Sequence, residues 1–144
     1  MSDVHIVDRV GGIRTILNNG VYEDGEHKRV NSCFAIAIRD ALIQAGKDQN
    51  LVNVVFQGIV CKLDEYFGKD MIVDTDRLTI EKATSWNNII TQILNIFDIK
   101  TCLVHRVLPS GKIRMSEYGI RGNKDTDNII EIWTSGLHFE AVAR

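Results

Sequence analysis

From Cys33 onward, apolar positions return at helical intervals. Phe34, Ala37, Ile38, Ala41 and Ala45 lie three and four residues apart, which predicts one amphipathic helix closed by Gly46 at the C′ position. Val52, Val55, Phe56, Ile59, Leu63 and Tyr66 form a second stripe, a helix ending before Gly68. Ser85 stands as a cap before "WNNIITQILNIF", where Trp86, Ile89, Ile90, Ile93, Leu94 and Phe97 predict a third helix. Ahead of these, residues 8–18, "DRVGGIRTILN", read as a short helix weakened by two glycines and stopped at Asn19-Gly20. The next stretch, "VYEDGEHKRV", reads as an irregular polar loop.

The last third changes period. "IKTCLVHRVL" is rich in branched residues and predicts a strand, turned through Pro109-Ser110-Gly111 into "KIRMSEY" as a hairpin. "NIIEIW" and "HFEAVA" are two further short strands around "TSG". Helices followed by strands give an α+β fold, with helices packed on a small, mainly antiparallel sheet.

Bulk properties narrow the function classes. At 144 residues the chain is expected to be one domain, 1–144. The hydrophobic content of 44% and charged content of 25% are those of a soluble globular protein. Net charge is −2 and the longest basic run is His27-Lys28-Arg29, so nucleic acid is not the expected partner. No apolar run approaches the roughly 18 residues of a membrane span, and the aspartate-bearing N-terminus is unlike a signal peptide. No membrane partner is expected. Cys33, Cys61 and Cys102 cannot all pair within one chain, which favours a reducing compartment and a cytoplasmic location. Without a Cys-x-x-Cys or His-x-x-x-His pair no metal is expected, and thiol chemistry of the kind open to Cys33 implies no cofactor.

Candidate chemistry centres on Cys33. Behind Asn31 or Ser32 as cap, it falls in the first helical turn, where backbone N–H groups and the helix dipole favour an anion. That favours a thiolate, the form that attacks carbonyls, and the same N–H groups can stabilise an oxyanion beside it. The bland alternative is a small core residue, which is the reading for Cys61 and Cys102. Of the four histidines, His138 starts the strand "HFEAVA", where alternation puts His138 and Glu140 on one face. Glu140 can then hold the imidazole in the tautomer that serves a thiol, making a Cys–His–acid triad. His105 is the competing base, but the neighbours of its strand are expected to offer no acid at an alternating position.

Three stretches, "VNSCFAIAI", "TSWNNIITQILNIFDIKTCLV" and "NIIEIWTSGLHFEAV", resemble in order the blocks of ovarian tumour (OTU) domain cysteine proteases. The resemblance spans roughly residues 29–143. It implies a papain-like fold and a thiol isopeptidase that removes ubiquitin or a ubiquitin-like protein by cutting after its Gly-Gly tail. Carried over by position, Cys33 is the nucleophile, His138 the general base and Glu140 the orienting acid. Backbone N–H groups of the loop at Asn31 and of Cys33 itself form the oxyanion hole, and Trp133 flanks the channel for the glycine tail. The chain departs from the family in reading Val30-Asn31-Ser32 where Asp-Gly-Asn is common, with Asp24 the upstream acid that could substitute. Glu140 is also longer than the usual Asp or Asn. Such compact versions resemble those of viruses and intracellular bacteria, which implies host-cell cytoplasm. Two alternatives keep part of this reading: a viral polyprotein-processing protease, and a catalytically inactive ubiquitin-binding module.

Overall fold

The computed structural model describes residues 4–24, 27–29, 32–67, 90–135 and 138–144; for 22–24, 27–29 and 60–67 it describes the backbone alone. The chain opens with an antiparallel hairpin, β1 (Ile6–Arg9) and β2 (Ile13–Ile16), where the sequence pattern predicts a helix. Gly11 and Gly12 decide the difference. Both have positive φ, at 84° and 74°, and form the turn rather than the interior of a helix. The pairing register puts Arg9 and Thr15 on one inward-facing side, with Thr15 buried and Arg9 half-buried. A second hairpin, β3 (Tyr22–Asp24) and β4 (His27–Arg29), replaces the expected irregular loop.

Helix α1 (Cys33–Gln44) follows. Its end is a Schellman motif: the Gly46 N–H donates to the Ile43 carbonyl and the Lys47 N–H to Leu42. Residues 33–38 are all buried, so the first half of α1 is surrounded by protein. Helix α2 (Gln49–Phe67) is capped by Asp48, whose carboxylate accepts from the Leu51 N–H at 2.9 Å, and lays Val52, Phe56 and Ile59 into the core. Leu63 and Tyr66 have no described side chains, and Gly68 lies outside the described residues. Of the third helix, residues 90–96 are helical and bury Ile90, Ile93 and Leu94; Ser85, Trp86 and Ile89 lie outside the described residues.

The main sheet is β5 (Thr101–Val107), β6 (Ile113–Gly119), β7 (Ile129–Thr134) and β8 (Phe139–Ala141), in the spatial order β6-β5-β7-β8. Two of its three pairings are antiparallel as expected, and the central β5–β7 pair is parallel. The chain leaves β6 and crosses the N-terminal end of β5, at Lys100, before starting β7. Thr101 fastens that crossing by donating from its hydroxyl to the Ile120 carbonyl at 2.7 Å.

One sheet face carries Cys102, Val104, Ile130, Ile132, Phe139 and Ala141 into the core against α1. By alternation the other face carries His105, Glu131, Trp133 and Glu140. The β1–β2 hairpin lies beside β8, joined through a Thr15–Val142 bridge and a hydrogen bond from the Ala143 N–H to the Arg14 carbonyl at 2.8 Å. The molecule is thus mixed α/β, in keeping with an α+β class. No helix among the described residues is long and apolar enough to cross a membrane.

Candidate active site

Cys33 is the first residue of α1 and His138 immediately precedes β8. Each is followed by a phenylalanine that enters the core. Phe34 and Phe139 meet edge to face, with ring centroids 5.2 Å apart and planes at 75°. That contact brings the helix start and the strand start together, although they are more than a hundred residues apart in sequence.

The His138 ring lies between two groups. Its Nε2 is 2.9 Å from Glu140 Oε2, and it hydrogen-bonds the Cys33 thiol. With Nε2 committed to the carboxylate, Nδ1 is the ring nitrogen left for sulfur. The bond to Cys33 raises the His138 pKa above its ordinary value against the opposing effect of burial, and the hydrogen bond and charge of Glu140 raise it further. Cys33 is 5% exposed, and the His138 side chain keeps 31% of its surface in solvent.

Glu140 is fully buried yet charged, because every described neighbour of its carboxylate is a donor. Oε1 accepts from Arg9 Nε at 2.9 Å, from a terminal Arg9 nitrogen at 2.7 Å and from the Thr15 hydroxyl at 2.6 Å. Oε2 accepts from the Asn18 N–H at 3.1 Å and faces His138. Burial alone would raise the Glu140 pKa. The bonds from Thr15, His138, Asn18 and Arg9 together outweigh it and hold the carboxyl below its ordinary value.

Asn18 is the second organiser. Its side-chain amide donates to the Phe139 carbonyl at 2.8 Å and, at the 3.5 Å limit, to the Cys33 carbonyl. Its side-chain oxygen accepts from the Gly20 N–H at 3.0 Å. The Gly20 carbonyl in turn accepts from the Ser32 N–H at 2.8 Å, so the loop 18–20 is tied to the cap of α1. Ser32 is the N-cap residue without a side-chain capping bond. Sequence reasoning missed Arg9, Thr15 and Asn18 as site residues. The available signal was the Gly-Gly turn followed by Asn-Asn-Gly, which marks a hairpin leading into a turn.

The remaining sequence candidates are placed as follows. Asn31 and Val30 lie outside the described residues, and Asp24 is described only as backbone in β3. Trp133 is a buried β7 residue, 5% exposed, paired in register with Glu140, with the Arg9 guanidinium 5.1 Å above its ring. It therefore meets the site through Arg9 rather than as an open wall. His105 does have an acid, contrary to the sequence reading: Glu131 from the neighbouring strand β7 lies 2.9 Å from Nε2. Its own strand supplies none, but parallel pairing puts β7 beside it. Cys102, on the core face, is fully buried, and burial pushes its thiol up to about 12, so it is inert. A cavity of about 550 Å³ adjoins the 18–21 loop on its α1 side, bordered by Ile36, Arg39 and Asp40. No three of His, Cys, Asp and Glu gather as a metal-holding group among the described residues.

A thiol and an imidazole in contact, backed by a buried carboxylate, can exchange a proton to give a thiolate–imidazolium pair that attacks an acyl carbon. Comparison of the chain with family models, with curated protein sequences and with solved structures gave no match.

Proposed function

We propose that the chain is a cysteine isopeptidase that cleaves ubiquitin or ubiquitin-like conjugates after their C-terminal Gly-Gly. The observation that carries the reaction type is the His138 ring, bonded at once to the Cys33 thiol and to the buried Glu140. The substrate class comes from the likeness of three sequence blocks, in order, to OTU cysteine proteases.

In the first half-reaction the Cys33 sulfur bonds to the carbonyl carbon of the terminal glycine. The resulting oxyanion is met by the Cys33 N–H at the start of α1 and by a donor of the Asn31 loop. The Ser32 N–H is not such a donor, since it is committed to Gly20. The C–N bond then breaks, and the proton on His138 passes to the departing lysine amine. In the second half, neutral His138 takes a proton from water, whose oxygen displaces the sulfur and frees the carboxylate. Glu140 keeps the ring in one tautomer throughout. Trp133 serves as the support on which Arg9 rests.

Ubiquitin bearing an electrophile at its C-terminus tests the assignment. Covalent labelling is expected at Cys33 and is lost in Cys33→Ala. Binding without labelling would replace the enzyme with a binding module. Alkylation of Cys33 by a small reagent without any reaction with the ubiquitin probe would keep the chemistry and discard the substrate.

A further inference from the structure

Resting on the assignment of Cys33 and His138 as nucleophile and base, we propose that Arg9 and Thr15 are positioning residues for the reaction, which makes the β1–β2 hairpin a working part of the active site. Among the described residues, the strands of its own sheet give the carboxylate behind His138 no side-chain donor. Its two nearest strands offer Trp133, whose indole N–H has no partner among the described residues, and the backbone pairing of β7 with β8. Every bond to Oε1 comes instead from the hairpin, with Thr15 at 2.6 Å and Arg9 at 2.7 and 2.9 Å.

These bonds fix the carboxylate's rotation. Three donors on Oε1 aim Oε2 toward the Asn18 N–H and His138, so imidazole orientation is inherited from the hairpin through Glu140. Arg9 is itself held by stacking on Trp133 and by a 3.4 Å contact from its Nε to the Thr15 hydroxyl. Among the described residues, the charged or titratable groups acting on Glu140 are Arg9 from the hairpin and His138 from the β8 approach. Those acting on His138 are Cys33 from α1 and Glu140. The inner face of the hairpin carries Val7 and Ile13 beside Arg9 and Thr15, and it presents a guanidinium and a hydroxyl to a single carboxylate oxygen.

The test compares Thr15→Val, Thr15→Ser and Arg9→Lys with Arg14→Ala, a change on the same hairpin whose side chain is 64% exposed. Thr15→Val is isosteric and leaves Oε1 both Arg9 donors, so the fold is retained. Three readouts are taken: ubiquitin-substrate turnover, the pH profile of Cys33 alkylation by iodoacetamide, and the ring titration of His138 by NMR. Thr15→Val and Arg9→Lys are expected to lower kcat about tenfold with KM nearly unchanged, the loss of one charge-assisted hydrogen bond. Both also slow alkylation at neutral pH and move the His138 titration downward, while Thr15→Ser and Arg14→Ala match wild type. Unchanged alkylation and His138 titration in both variants would overturn the proposal, even if thermal stability fell. If no chain cleaves ubiquitin but the alkylation and titration shifts appear, the hairpin's role stands and the substrate assignment falls.

Discussion

Replacing Glu140 by glutamine changes one atom and removes one charge, and the outcome follows from counting donors. The carboxylate receives three bonds at Oε1 and two at Oε2, all from donors. An amide can accept at only one of these positions and must present its –NH2 at the other. Putting –NH2 against Arg9 forfeits two charge-assisted bonds, each about 1.5–3 kcal/mol. Putting it against Oε2's partners orphans the Asn18 N–H, at about 1–3 kcal/mol, and leaves His138 to adapt. The second arrangement is the cheaper one. It requires Nε2 to become an acceptor, which moves the ring proton to Nδ1, facing the sulfur. In that tautomer His138 cannot take the thiol proton, and a loss of roughly 10³–10⁴ in kcat is expected.

Ring ¹⁵N shifts of His138 report the tautomer directly, and alkylation of Cys33 reports its nucleophilicity without assuming a substrate. Glu140→Gln should show a protonated Nδ1 and greatly slowed alkylation. If it instead stays within about threefold of wild type in alkylation and cleavage, with Nε2 still protonated, the donor-counting argument is refuted.

Cys33→Ala should abolish cleavage and probe labelling with the fold intact, and it removes the largest influence raising His138. The NMR titration of the ring should move down toward 6.5, and the stability it contributes, complete below the unfolded value and lost as pH rises through the folded one, should shrink. Glu140 acts at the other end: its stabilisation is present above the unfolded value near 4.5 and lost as pH falls through the lower folded value, so Glu140→Gln should flatten the acid limb of a stability–pH curve. Asn18→Ala removes the bonds to Phe139 and Gly20, and should cost about 2 kcal/mol by urea melt and roughly ten- to hundredfold in kcat as the cysteine and histidine elements loosen. Gly119→Ala places a Cβ onto the Lys100 carbonyl at a φ of +91°, and should cost at least about 2 kcal/mol with no specific effect on the alkylation profile of the folded fraction.

Parts of this arrangement were legible because they are local. The α1 stripe and its glycine stop follow from periodicity, and so do the β-branched strands β5 and β7. Cys33, His138 and Glu140 carry reactive groups at a helix start and two positions apart at the head of a strand, which marks them as candidates beside the competing His105. The first hairpin was not legible in the same way. Val10, Ile13, Ile16 and Leu17 fall three and four residues apart as on a helical stripe, and they do not alternate as a half-buried strand would. What overrides that stripe is the positive φ of Gly11 and Gly12 and the bridge from Thr15 to Val142 at the far end of the chain. The parallel β5–β7 pair is likewise a long-range choice that no local pattern encodes. Arg9 and Thr15 stayed hidden for the same reason: their partner is 131 and 125 residues away, and in isolation each reads as a surface polar residue.

The apolar and polar halves of the site have separate causes. Where the sulfur and imidazole meet is decided by Phe34 and Phe139, which are 1% and 5% exposed. Burying two such rings contributes about 1.5–3 kcal/mol each, more than a typical neutral hydrogen bond within the site. Alternation then sends Glu140 to the opposite face of β8, which in a bare sheet would be water. There a carboxylate would be hydrated, mobile and weakly coupled to the ring. The hairpin excludes that water and substitutes fixed donors. The same 2.9 Å contact between Glu140 and His138 thereby acts in a low-dielectric setting, where it is strong enough to orient the base. Core packing alone would bring Cys33 and His138 together; in the proposed reaction it is the hairpin, with Asn18 beside it, that makes Glu140 effective as their third member.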